Sequence, residues 1–210
     1  MKNRIITGTV QILSGQAASV ALTLLRNIIL ARLLGLEQFG IGLTFAITIS
    51  FLEMAASFSF DKFIIQDKQG EDPVLLGTTH GFVLARGILI ALALVLAGDL
   101  IAFAFGLPDL AWAYQVLALA PLCGGLCHAD VARFQRRLRY APLVATQLVS
   151  EVCGLLVGIA LAWWLGDYRS MLYAIVARYI AFAVLSHFVA EGPYRITFES
   201  EIARRIWRFG

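Results

Sequence analysis

The chain has 210 residues, of which 60% are hydrophobic and only 15% charged, with a mean hydropathy of +0.79; soluble domains carry about 25% charged residues. A net charge of +3 is too small to point to nucleic acid as a partner. The apolar residues lie in long runs separated by short charged stretches, which predicts an all-α integral membrane protein rather than a soluble domain.

Six runs reach the roughly 20 apolar residues that a helix needs to cross a bilayer. They cover approximately residues 10–34, 41–64, 82–105, 110–131, 143–165 and 171–190. Lys2 and Arg4 before the first run resemble the start of a signal peptide. The run is longer than the 7–15 residues of a signal's apolar region, however, and it contains Arg26, so it reads as a retained helix. Along it Gln16, Ser19, Thr23 and Arg26 are spaced by three, four and three, which puts them on one face. In the second run Ser50, Glu53, Ser57 and Asp61 repeat that arrangement.

The third run carries Arg86 and otherwise little polarity. Pro121 lies inside the fourth and predicts a kink there. Cys123 and Cys127, followed by His128, are one helical turn apart. Small cysteines packing between helices account for them better than a metal does, and no metal or cofactor is expected. His128 and Asp130 read as solvated groups near the end of that span. The fifth run has a polar and small-residue face of Gln147, Glu151, Gly154 and Gly158; the G-x-x-x-G spacing predicts close helix packing. The sixth carries Arg178.

After the spans, Phe198, Ile202 and Ile206 recur every four residues, with Glu201, Arg204, Arg205 and Arg208 off that stripe. This predicts a basic amphipathic helix over 196–209 lying on the cytoplasmic leaflet. The chain then reads as cut off at Gly210. Residues 1–193 are therefore expected to form a six-helix lobe, with 194–210 leading to a second lobe.

The placement of Lys and Arg predicts the orientation. With the N-terminus in the cytoplasm, the inner segments hold Lys2, Arg4, Lys62, Lys68, Arg133, Arg136, Arg137, Arg139, Arg195, Arg204, Arg205 and Arg208, against Arg32 and Arg169 outside. That bias puts both termini inside, and the basic run 133–139 reads as a topology signal.

Arg26, Glu53, Arg86, Glu151 and Arg178 sit inside spans, where an Arg or Asp at a helix centre costs about 2.5–3.5 kcal/mol on insertion scales. Two readings follow. Polar stripes on helices one, two and five face a bundle interior or a water-filled cavity, with Arg26 within reach of Glu53. Alternatively, the glutamates only neutralise arginines to brace the bundle, and Arg86 and Arg178 extend their heads to the interface.

The stretch Arg26-Asn27-Ile28-Ile29-Leu30-Ala31-Arg32-Leu33-Leu34-Gly35, followed by Glu37-Gln38-Phe39-Gly40, resembles the first helix and loop of the polysaccharide transporter family, which includes O-antigen and exopolysaccharide flippases. Phe60-Asp61-Lys62, Ile65-Gln66, Phe134-Gln135-Arg136-Arg137 and Ile206-Trp207-Arg208-Phe209-Gly210 extend the resemblance over the whole chain. It implies one lobe of a two-lobe transporter in the bacterial cytoplasmic (inner) membrane, with a central cavity of alternating access. The implied cargo is a lipid-linked oligosaccharide bearing a pyrophosphate. The implied partners are membrane lipid, that glycan, and a second lobe or another copy of the chain. Guanidinium suits the pyrophosphate because it pairs with phosphate in a bidentate way and stays charged. Arg26 matches this role best, ahead of Arg86 and Arg178; Glu53, Asp61 and Glu151 are charge partners or ion-coupling groups.

Two alternatives remain at this point: a cation-coupled small-molecule exporter of the same superfamily, with those acids as ion ligands, and a non-transporting structural half-protein. An enzyme is not expected. An intramembrane serine protease would need a Gly-x-Ser-Gly nucleophile and a midplane histidine, and Leu13-Ser14-Gly15 lacks that setting.

Overall fold

The structure is a computed structural model that describes residues 2–56, 60–67 and 69–209, with side chains for residue 8, 10–56, 62–67 and 69–206. Among these residues the secondary structure is entirely helical. The first helix, α1 (Lys2–Ala55), breaks once, at Gly35, where φ 76° and ψ 168° lie in a region open to glycine alone. Its apolar part, Val10–Ala55, is 46 residues long. At 1.5 Å per residue that is about twice the thickness of a bilayer core. The second helical run of the sequence does not continue to residue 64: α1 stops at Ala55, and α2 (Phe60–Gln66) is a separate short helix.

Helix α3 (Pro73–Ala104) starts nine residues before its expected place. Asp72 caps it by accepting the Val74 N–H at 2.8 Å, and Pro73 fills the first turn, where a missing N–H costs nothing. The polar stretch Gly77-Thr78-Thr79-His80 looked like loop. Instead the Thr78 and Thr79 hydroxyls donate to Val74 O and Leu75 O one turn back, and both residues are buried.

The fourth run is not one helix. A 3₁₀ turn (Pro108–Leu110) leads into α4 (Ala111–Leu117), α5 (Leu119–Gly125) and α6 (Asp130–Arg136). The break at Ala118 lies one turn before Pro121, which has no N–H for Leu117 O. Beyond 126–129 the direction changes by 50°. Helix α7 (Ala141–Leu165) ends on Gly166, at φ 67°, and is followed by α8 (Arg169–Val189) and α9 (Ser200–Phe209).

Four helices are long and apolar enough to cross a bilayer, and the bent pair 108–125 and 130–136 makes a fifth if it is one span. Their outward faces are apolar: Leu96, Leu100 and Phe103 on α3 and Leu156 on α7 are exposed. Trp163 and Trp164 end α7, also exposed, at the end where Trp112 and Tyr168 meet, as aromatic residues do at a membrane interface. Inside, Phe45, Ile49, Leu94, Tyr114 and Leu172 form the main core. Helix α7 lies against α8 and α1. A Cβ on Gly154 would come 3.1 Å from Ala174 O, and one on Gly158 would come 3.1 Å from Ala174 Cβ, so the G-x-x-x-G face is where these helices approach.

The amphipathic segment differs from its sequence reading. Helix α9 begins at Ser200, so Phe198 lies in the non-helical stretch before it and is exposed. Ile202 and Ile206 are buried against Phe63, Ile64, Leu75, Leu76 and Ala132. The stripe is covered by protein rather than laid on lipid.

The basic run 133–139 is extensively paired. Arg136 donates to Ile64 O, Ile65 O and Asp67 O at the end of α2. Arg137 grips both oxygens of Glu71 at 2.9 and 2.6 Å, and Arg139 meets Glu191 at 2.6 Å. The Arg137 hydrogen bond holds the Glu71 carboxyl below its usual 4.5, and the Arg139 hydrogen bond does the same for Glu191. A carboxylate with a depressed folded-state pKa contributes stability above its unfolded value and loses it as pH falls through the folded one. Melting temperature in detergent should therefore drop as pH falls below 4.5. The double variant Glu71→Gln/Glu191→Gln should start lower and respond less in that window; equal slopes would assign the acid sensitivity to other groups.

A polar cavity between the helices

Four helical stretches bring their charged residues to one place. Thr23, Arg26 and Asn27 come from the first arm of α1, Ser50 and Glu53 from its second arm, Glu151 from α7, and Arg178 and Tyr179 from α8. Together they line a cavity of about 280 Å³. The three-and-four spacing on α1 aims Arg26 inward, and Ser19 of the same stripe accepts from Gln147 Nε2 at 3.2 Å. Gln16 is exposed.

Glu151 is the hub. Its carboxylate meets Arg26 Nη1 at 3.6 Å and Arg178 Nη1 at 3.3 Å. Arg26 therefore pairs with Glu151 and not with Glu53, the partner read from the sequence. Helical spacing fixes the face on which a residue lies but not which neighbouring helix it meets. Glu53 instead accepts the Tyr179 hydroxyl at 2.7 Å, and the Arg178 guanidinium lies 4.5 Å from the centre of the Tyr179 ring. One carboxylate between two guanidinium groups leaves Arg26 Nη1 buried and without a hydrogen bond.

Arg86 reaches the same region from α3. It lines a second cavity of about 380 Å³ whose walls include Glu53, Arg178, Tyr179, Gln147, Ser150 and His128. The two cavities thus share Glu53, Arg178 and Tyr179. Across both, three arginines (Arg26, Arg86, Arg178) face two glutamates (Glu53, Glu151), so the lining is cationic by one charge. Asp61 lies outside the residues whose side chains are described. Arg26 and Arg178 are both held by Glu151.

Tyr179 and Asn27 escaped the sequence reading. Tyr179 was open to detection, because a tyrosine next to an arginine at mid-span has a hydroxyl that needs a partner. Cys123 and Cys127 form no disulfide, and Cys127 Sγ is directed at Cys123 O at 3.8 Å. Among the described residues no group of three His, Cys, Asp or Glu is arranged to hold a metal.

A family model described as "Polysaccharide biosynthesis protein" matches residues 29–210. The chain belongs to the polysaccharide biosynthesis protein family. The match opens at Ile29 and takes in Glu53, Arg86, Glu151 and Arg178, while Arg26 lies three residues ahead of it. Membership agrees with the resemblance to polysaccharide transporters. Together with the apolar helices it makes this a multi-pass membrane protein of the polysaccharide biosynthesis family. No curated protein and no solved structure matches the chain.

Proposed function

We propose that the chain is the first lobe of a flippase that carries a lipid-linked oligosaccharide across the bacterial inner membrane by alternating access. In this reading it crosses six times with both termini in the cytoplasm. Helix α1 contributes two crossings joined at Gly35, and the broken segment from Pro108 to Arg136 contributes one. A second lobe or a second copy of the chain faces the arginines. The observation that carries the proposal is the pair Arg26 and Arg178 on the single carboxylate of Glu151, at the wall of a cavity lined by both arginines. Two guanidinium groups sharing one carboxylate leave donors for an anionic ligand, and guanidinium receives a pyrophosphate in bidentate fashion.

Arg26→Gln is expected to fold, because Glu151 keeps Arg178 and is not left unpaired. Arg26→Lys keeps the charge but loses the planar fork. Each should lower glycan export by about tenfold or more, the size expected when one charged hydrogen bond is lost. The measurement is export per unit of protein in the membrane, with melting temperature in detergent as the control. Export that falls only in step with stability would reduce Arg26 to a brace. The cation-coupled exporter fits less well: Glu151 lies between two guanidinium groups, a poor setting for another cation.

The six-crossing topology has its own check. Single cysteines at Gln69 and Arg137, in a background without the native three, should be labelled only from the cytoplasm. Cysteines at Leu36 and Pro108 should be labelled only from outside. Labelling of position 137 from outside would overturn the topology.

A further inference from the structure

His80, His128 and His187 lie far apart in the sequence and close together in the fold. The His80 and His128 rings are 4.9 Å apart, those of His128 and His187 5.5 Å, and Tyr194 lies 4.4 to 5.8 Å from all three. His128 and Asp130, read from the sequence as solvated, are 4% and 1% exposed, and His80 is 2% exposed. The cluster joins α3, the bend between α5 and α6, the last turn of α8, and the segment 190–199 that leads to α9.

Backbone partners fix the protons. Ala129 N–H donates to His80 Nε2 at 2.9 Å, so that nitrogen is bare, and Nδ1 donates to Arg195 O at 3.0 Å. Asp130 N–H donates to His128 Nδ1 at 3.1 Å, so that nitrogen is bare as well. Both rings are therefore neutral while these bonds stand. A proton added to His80 Nε2 would set one N–H against another and release Ala129 in the bend. A proton added to His128 Nδ1 would release Asp130 N and turn the ring toward Asp130 Oδ2, 3.8 Å away. That oxygen now accepts from Glu191 N and Gly192 N, both at 2.8 Å, and so holds the start of the 190–199 segment.

The charged and titratable groups facing the pair are His187 from α8, Asp130 and Arg133 from α6, Glu191 and Tyr194 from the segment, and Cys127 from the bend. Asp130 is already engaged by Arg133 at 3.0 Å, and Arg133 also meets Glu191 at 3.5 Å. His187 Nε2 is bonded to Leu126 O at 2.9 Å. The carboxylate nearest the rings, Asp130, is thus already paired with Arg133 and holds Glu191 N and Gly192 N, so an imidazolium would compete with those partners for it.

We propose that His80 and His128 form a proton-binding site that works as a latch: while both rings are neutral the 190–199 segment stays docked on the bend at 126–130, and uptake of a proton from the adjoining solution undocks it. His128 also lines the larger cavity, so the latch adjoins the arginine site. The latch needs no cargo and stands or falls separately from the pyrophosphate reading.

The test is hydrogen exchange on the full chain in nanodiscs at about pH 7.5 and about pH 5.5, the span over which a free histidine titrates. Rates are corrected for the intrinsic pH dependence of exchange. A ring freed by opening regains a pKa of about 6.5, so the lower pH raises the open fraction about tenfold for each histidine freed. Glu71 and Glu191 stay ionised there, since their arginine partners hold them below 4.5. Peptides covering 126–131 and 190–199 should exchange about a hundredfold faster at the lower pH in the wild type, about tenfold for each of the two rings freed. His128→Asn keeps an acceptor near Nδ1 but cannot take a proton, and His80→Gln is its counterpart on α3; each should cut the response about tenfold. Equal protection of the wild type at the two pH values would overturn the latch, as would a full response in folded variants. Should both variants fail to fold, NMR of labelled histidines in the wild type decides. Two ring signals must titrate in step with the exchange change, and independent titration refutes the proposal.

Discussion

Glu151→Gln is expected to be the most damaging single change in the polar cavity, lowering stability by about 3–5 kcal/mol, the usual cost of removing one partner from a buried charge network. The effect is asymmetric. Removing Arg26 leaves Glu151 with Arg178, and removing Arg178 leaves it with Arg26. Removing Glu151 leaves two guanidinium groups facing each other across a cavity with no carboxylate between them. Thermal melting in detergent should show the loss, and the double variant Glu151→Gln/Arg26→Gln should recover part of it by removing one stranded charge. A Glu151→Gln protein that melts with the wild type would mean that water already neutralises the arginines. The pairing would then have no structural weight.

Gly87→Val should be comparably severe for a purely steric reason. A Cβ at Gly87 would lie 2.6 Å from Pro121 O and 2.8 Å from Gly125 Cα. Both atoms are backbone, so no side chain can turn aside and α3 and α5 must separate. Overpacking of a well-filled site costs about 1–3 kcal/mol, and with backbone on both sides the upper end is expected. Gly81→Ala on the same helix is the control. Its new Cβ would meet Ile196 Cγ2 at 3.5 Å and Thr197 O at 3.7 Å, ordinary contacts. That variant should be neutral or gain up to about 1 kcal/mol from helix propensity. If both variants express and melt alike, the α3–α5 crossing is looser than these distances state.

The helical class, the apolar outward faces and the residues that gather in the cavity were legible in the sequence, because long apolar runs interrupted by single charges have few physical solutions. Arg26, Glu53, Arg86, Glu151 and Arg178 all line the two cavities. Their pairing was not legible: spacing on α1 orients Arg26 but does not choose between Glu53 and Glu151. The early start of α3 was hidden because Thr78 and Thr79 look like loop residues until their hydroxyls bond back into the helix. The histidine cluster was hidden for a different reason. In the sequence His80 and His187 fall near the edges of apolar runs, where a solvated polar group is ordinary, and His128 sits near the end of the fourth; the bend at 126–129 places His128 between the other two. Phe198 fitted the period of four by residue type alone, while the chain around it is not helical.

The placement of α2 has a consequence for how the protein is made. Phe63 and Ile64 are buried under Ala132 of α6 and under Ile202 and Ile206 of α9, and Arg205 grips Asp67 just past the end of α2. Synthesis runs from the N-terminus, so α2 leaves the ribosome long before either partner exists. Until α6 and α9 arrive, only α3, through Leu75 and Leu76, is there to share its cluster, and the rest of its apolar side is uncovered. This corner is therefore completed late, and released chains truncated before α9 should leave α2 more open to protease than chains that include it.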